Sequence, residues 1–193
     1  MDNGAEAERA PRILLGVTGS IAAYKACELA RLIVKRIPGA RLRVAMTAAA
    51  REFVAPLTFQ TLSRNPVAAD QFAPPAAWEP EHVALADSDV AVVAPCTANM
   101  IAKMANGIAD DLLSSVLLAT KAPVVVAPAM NDGMWTHPAT RRNVALLRER
   151  GTAVISPGEG ELACGSSGPG RLAEVEKIFA AVAAALGGSA AGV

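Results

Sequence analysis

Five short segments hold the side chains with chemistry to offer. Pro128–Pro138, PAMNDGMWTHP, sets one amide, Asn131, among Met130, Met134 and Trp135. Turns favour small polar residues and Gly. Large apolar groups around a single amide therefore suggest a water-excluding loop, with a buried hydrophobic turn as the ligand-free alternative. GVTGSIAAYK, residues 16–25, places a Gly-Ser turn between an apolar run and a helical pattern. Backbone N–H groups, a hydroxyl and the positive end of a helix dipole make that turn an anion site, with Ser20 a fitting N-cap. APCTANMIAKMANG, residues 94–107, repeats the device, with Thr97 to cap the helix and Asn99 beside it. Two helix N-termini converging on neighbouring strand ends favour a phosphate more than either alone. His82 opens the segment EHVALA, and Cys164 lies in GEGELACGSSGPGR, a Gly-rich stretch able to close over a substrate.

The anion is narrowed by what is missing. Neither G-x-G-x-x-G nor G-K-[ST] occurs, so the turn is not a dinucleotide fingerprint or a P-loop. Thr47 stands where a ribose-binding acid would end the second strand. A monophosphate fits better than NAD. The rest of such a ligand should be flat and apolar, and Phe59 and Met130 are candidates to touch it. Without a ligand, Thr97 would be an ordinary cap and Phe59 ordinary core.

These segments need a scaffold that gathers them. Apolar runs at 12–18, 41–47, 89–96, 122–130 and 152–158 read as strands. Helical spacing fills 20–36, 81–88, 97–107, 110–120, 137–151 and 172–186, and Pro56 splits 49–65 into two short helices. Residues 70–80 are a Pro-rich loop. Continuously apolar strands separated by helices imply a parallel sheet covered on both faces. The expected fold is α/β, a single doubly wound, Rossmann-like domain with ligands at the carboxyl ends of its strands. Every segment named above except EHVALA falls at such an end. The expected layout is a disordered lead-in over 1–11, the domain over 12–186 and a flexible tail over 187–193.

Composition excludes other classes. Lys plus Arg and Asp plus Glu are 18 each, and the cations are scattered, so no nucleic-acid partner is expected. No apolar run is long enough for a membrane span, and the acidic start lacks the apolar core of a signal peptide. Cys27, Cys96 and Cys164 are odd in number and far apart, which suits a reducing cytoplasm and suggests no metal site. Cys27 reads as helix packing, Cys96 as a pocket lining and His137 as structural.

GVTGSIAAYK, EHVALA, APCTANMIAKMANGIADDLL, PAMNDGMW and ELACGSSGPGRLAE together resemble the homo-oligomeric flavin-containing Cys decarboxylases, over about Arg12 to Leu186. The resemblance implies bound FMN. Its phosphate would lie against Gly19, Ser20 and Ile21, near Thr47 and the turn Thr97, Ala98, Asn99 and Met100, with Phe59 near the isoalloxazine. It implies a catalytic His82, a carboxylate-binding Asn131 and a proton-donating Cys164. Met130, Met134, Ala163 and Gly165 would meet the substrate. The implied reaction converts 4′-phosphopantothenoylcysteine to 4′-phosphopantetheine in coenzyme A biosynthesis. Hydride removal from the thiol carbon gives a thioaldehyde whose C=S, β to the carboxylate, accepts electrons as CO2 leaves; the enethiolate is then re-reduced. The family's flavin site lies between subunits, in trimers that pack into dodecamers. A synthetase fused to many family members has no counterpart in this sequence, so that step is expected elsewhere. Neighbouring activities remain open at this point: oxidative decarboxylation of a peptide's C-terminal Cys, flavin prenyltransfer, and a non-catalytic regulatory subunit. The Asn and Cys loops argue against prenyltransfer, and the intact His and Cys against a regulatory subunit.

Overall fold

Ile13, Leu15 and Val17 alternate with Leu14 along the first strand, and both sets are buried. A strand apolar on both sides must sit inside a sheet with two covered faces. The computed structural model describes residues 9–72, 80–161, 165 and 167–189. In order, the elements are β1 (Arg12–Val17), α1 (Ala23–Arg36), β2 (Arg41–Met46), α2 (Ala48–Arg51), α3 (Pro56–Ser63), β3 (Val67–Ala68), α4 (Glu81–Ala86) and β4 (Val90–Cys96). Then come α5 (Ala98–Asn106), α6 (Leu112–Ala119), β5 (Val124–Pro128), α7 (Asp132–Thr136), α8 (Pro138–Glu149), β6 (Ala153–Val154), β7 (Gly158–Glu161), β8 (Ser167–Arg171) and α9 (Val175–Ser189).

Among the described residues the main sheet runs β3-β2-β1-β4-β5-β6, and its paired strands are parallel. The order reverses between β1 and β4, which opens a crevice at their carboxyl ends. Period-two alternation sends Ile13, Leu15, Val17, Val92 and Ala94 to one face, against Ala26, Leu29 and Ile33 of α1 and Ile178 and Val182 of α9. Leu14, Ala91, Val93 and Val126 face the other way, against Leu85, Ile101, Leu113 and Val144. Small residues on α1 let it lie close to the sheet: Ala23, Ala26 and Ala30 are fully buried. Each large side chain enclosed this way contributes roughly 1.5–3 kcal/mol.

Several expectations change. Helix α1 starts at Ala23 with Ala22 at its cap position, so Ser20 is not its N-cap. The Ser20 carbonyl accepts from Ala23 N and its Oγ from Ala22 N, which turns the chain once before the helix begins. The fifth strand contracts to the two residues of β6. Beyond it, Gly158 opens an antiparallel hairpin, β7–β8, which Gly- and Pro-rich sequence had suggested would be loop. The Pro56 break holds, with Pro56 in the first turn of α3, where a missing N–H costs nothing. Helix α9 reaches Ser189. Residues 1–8 of the lead-in and 190–193 of the tail lie outside the described residues. No helix among the described residues is long and apolar enough to cross a membrane.

Candidate active site

A ladder of hydrogen bonds crosses the carboxyl end of the sheet. Thr47 N donates to Val17 O at 3.1 Å, tying the end of β2 to β1. Thr18 joins β1 to β4: its Oγ1 donates to Pro95 O at 2.7 Å and accepts from Thr97 N at 3.0 Å. Ala129 N donates to Cys96 O at 3.1 Å, and Met130 N to Gly170 O at 3.0 Å. The Gly-Ser turn, the start of α5, the Asn131 loop and the hairpin are thereby parts of one surface.

At one end of this ladder is an anion cradle. Thr18 O accepts from Ser20 N at 2.9 Å, which shapes the Gly19–Ser20 turn. The N–H groups of Gly19 and Ile21 donate to no acceptor among the described residues. Thr97 caps α5, its Oγ1 accepting from Met100 N at 3.4 Å, and the first-turn donors of Ala98 and Asn99 face outward from the helix end. No carboxylate occurs in residues 18–22 or 97–100. A Cβ on Gly19 would stand 2.4 Å from Ala49 Cβ, so the turn can press against α2 only without a side chain. Thr47 caps α2 through Ala50 N at 3.2 Å. Backbone donors without carboxylates fit a phosphate group.

The other end is built differently. Asn131 is exposed, and its Oδ1 caps the short helix α7 by accepting from Gly133 N at 2.9 Å. A carboxylate would thus be met by the Nδ2 hydrogens, since the oxygen is turned to the helix. Trp135 N donates to Asn131 O, and the Trp135 ring is buried beneath Arg141, whose guanidinium lies 5.2 Å from the ring centre. Met130 is half-buried and Met134 exposed. Gly170, at φ +139°, lies so near this loop that a Cβ would fall 2.2 Å from Met130 O. Strand β8 packs on α7, so the two strands flanking residue 164 are seated on the Asn131 loop. Cys164 and Ala163 lie outside the described residues; Gly165 is exposed.

The remaining candidates are dispersed. Phe59 is fully enclosed in the core on the α1 side of the sheet. Met100 is buried against the opposite face. His82 is half-buried on α4, which packs mainly on α6. Several large apolar side chains are exposed, among them Ile21 in the cradle turn, Tyr24, Phe53, Leu57, and Val83 next to His82 in the chain. His137 caps α8, its Nδ1 accepting from Ala139 N, the structural role expected of it. Burial pushes the Cys96 thiol far above its ordinary range, which leaves it an inert wall of the core. Burial also raises Cys27. Behind α5, Lys103 Nζ lies 2.6 Å from carboxylate oxygens of Asp110 and Asp111. Burial alone would raise Asp111, but its bonds from Lys103 and Ser114 outweigh that and hold it below the usual carboxylate range. Sequence reasoning passed over Thr18 and Gly170. The only signals were a Thr where β1 meets its turn and a Gly in a segment already rich in Gly.

Known proteins resemble the chain in sequence and fold. The profile of the family described as "Flavoprotein" matches residues 2–187. The coenzyme A biosynthesis bifunctional protein CoaBC of Bacillus subtilis (strain 168) is 51% identical over 167 residues, 86% of this chain and 41% of the relative. That of Mycolicibacterium smegmatis is 46% identical over 168 residues, 86% of this chain and 40% of the relative. The chain thus spans about two-fifths of the length of these curated relatives. Among solved structures, the FMN-dependent cysteine decarboxylase SpaF superposes with a TM-score of 0.82 at 35% identity, over 93% of this chain and 97% of that one. A PPC decarboxylase mutant complexed with pantothenoylaminoethenethiol gives 0.80 at 32% identity, over 91% and 98%. With the family profile matched over residues 2–187, one conclusion follows: the chain belongs to the flavoprotein family.

Proposed function

We propose that this chain binds FMN at the strand ends and decarboxylates 4′-phosphopantothenoylcysteine to 4′-phosphopantetheine, a step of coenzyme A biosynthesis. The observation that carries the reading is the ladder of hydrogen bonds joining a carboxylate-free anion cradle to the Asn131 loop and its hairpin. The likeness to CoaBC proteins and to a PPC decarboxylase bound to pantothenoylaminoethenethiol supports the substrate.

Gly19, Ser20, Ile21, Thr47 and the Thr97–Met100 turn would hold the FMN phosphate. Bound FMN supplies the two-electron oxidation and later re-reduction at the substrate's thiol carbon. The chain's own groups bind, orient and move protons. Asn131 holds the substrate carboxylate through an uncharged amide. A cation there would stabilise most the charge that vanishes as CO2 forms. Met130 and Met134 exclude water beside it. His82 carries a proton during thiol oxidation, since an imidazole has one ring nitrogen to accept a proton and one to donate it. Cys164 returns a proton to the decarboxylated carbon. Because His82 and Asn131 sit on separate elements of one chain, the reading includes assembly into homo-oligomers, trimers first, in which a neighbouring copy completes the site. The exposed Ile21, Tyr24, Phe53, Leu57 and Val83 support such assembly. The synthetase step falls to a further domain or a separate protein, in the cytoplasm.

A second reading, oxidative decarboxylation of a Cys at a peptide's C-terminus without re-reduction, fits the likeness to SpaF, an FMN-dependent cysteine decarboxylase. The test is CO2 release from 4′-phosphopantothenoylcysteine by flavin-stripped protein before and after adding FMN. Release only after FMN is expected; none in either state would overturn the proposal.

A further inference from the structure

Thr18 touches both halves of the cradle, and with different groups. Its carbonyl accepts from Ser20 N at 2.9 Å within the Gly19–Ser20 turn. Its side chain, 1% exposed, reaches the other half, donating to Pro95 O at 2.7 Å and accepting from Thr97 N at 3.0 Å. Both valences of the hydroxyl are thus used, one on each side of the Pro95–Thr97 bend. Thr97 in turn starts α5, with its Oγ1 accepting from Met100 N and its carbonyl from Ile101 N. Among the described residues, the other direct tie between the bends is the longer Thr18 N to Pro95 O bond at 3.3 Å.

We propose that Thr18 is the positioning residue of the phosphate end: its hydroxyl sets the spacing and tilt of the start of α5 against the Gly19–Ser20 turn, so that both sets of N–H donors converge on one anion. The inference rests on the FMN reading above. Thr18 is buried behind the donors and does not itself meet the phosphate. A hydroxyl that donates and accepts at once is directional on both sides. Val copies its shape and supplies neither bond, leaving the Thr97 N–H without that acceptor. The effect should therefore fall on the phosphate and spare the ring.

The experiment compares riboflavin and FMN binding, by flavin fluorescence, to flavin-stripped wild type, Thr18→Val and Thr18→Ser. The ratio of the riboflavin dissociation constant to that of FMN isolates the phosphate. In Thr18→Val it should fall by about tenfold, the equivalent of one or two hydrogen bonds, and in Thr18→Ser it should stay within about threefold of wild type. If Thr18→Val does not fold, Thr18→Ala removes the same hydroxyl without adding volume and should show the same fall. A ratio unchanged in the variant lacking the hydroxyl, with both ligands weakened alike, would make Thr18 merely structural and overturn the proposal. A Ser variant as damaged as Val would overturn it too. A wild type that prefers FMN no more than riboflavin would instead sink the FMN reading, and this inference with it.

Discussion

The two ends of the strand-end surface are held by different means. At the cradle, the turn after β1, the cap of α2 and the start of α5 are fastened directly to sheet strands, and the fastening hydroxyl of Thr18 is buried. At the Asn131 end, an exposed amide caps a five-residue helix, and a separate hairpin is seated on it through Met130 N–Gly170 O and a glycine contact. Parallel strands buried on both faces resist displacement; a hairpin seated on a loop and a five-residue helix has far less holding it. Cofactor binding should therefore depend on the fold itself, and turnover on how a later addition is docked. The two can be damaged separately.

The largest expected effect separates them most sharply. His82→Asn should leave a folded protein that binds FMN with wild-type affinity and loses turnover by about 10²–10⁴-fold, the range for a lost proton carrier. Stopped-flow recording of flavin reduction would check it; normal turnover removes His82 from the reaction. Next, Gly170→Ala forces a Cβ against Met130 O at a φ that L residues rarely adopt. The hairpin must shift, and turnover should fall by about 10²-fold, the cost of misplacing reacting groups by about 1 Å. FMN affinity should stay within about threefold, because no cradle bond is touched. A parallel loss of FMN would mean the two ends are one unit. Asn131→Asp retains the oxygen that caps α7 but sets a negative charge against the substrate carboxylate. KM should rise by about tenfold or more, readable from steady-state kinetics.

The smallest effect lies behind the cradle. Asp111 caps α6 and pairs with Lys103, and its carboxyl is held below the usual range. A depressed folded-state pKa means that its contribution is present above the ordinary carboxylate pKa and is lost as pH falls through the folded value. Asp111→Ala should cost about 1 kcal/mol near neutrality, and less in acid, in melts run across pH. FMN affinity and turnover should both be spared.

The cradle was far more readable in sequence than the hairpin, for physical reasons. Continuous apolar runs such as those of β1, β4 and β5 have one explanation in a covered parallel sheet, and a Gly-Ser turn after such a run points to an anion. His137 before Pro138 read correctly as structural. The hairpin was missed because SGPGR has no apolar alternation; its pairing comes from backbone geometry that Gly permits at positive φ. Asn131 read as a lone amide in a loop, whereas its oxygen starts a helix too short for periodicity to reveal. Ser20 read as a helix cap, but the chain makes one more turn before α1. Thr18 showed only as a Thr at the end of β1, because a hydroxyl that bridges β1 to β4 depends on residues 77 and 79 positions away.

The mass of the product formed from 4′-phosphopantothenoylcysteine by the FMN-loaded protein tests the joint working of both ends. Loss of CO2 with no other change is the predicted result. Recovery of unchanged substrate, or a product lacking CO2 and two further hydrogens, would contradict it.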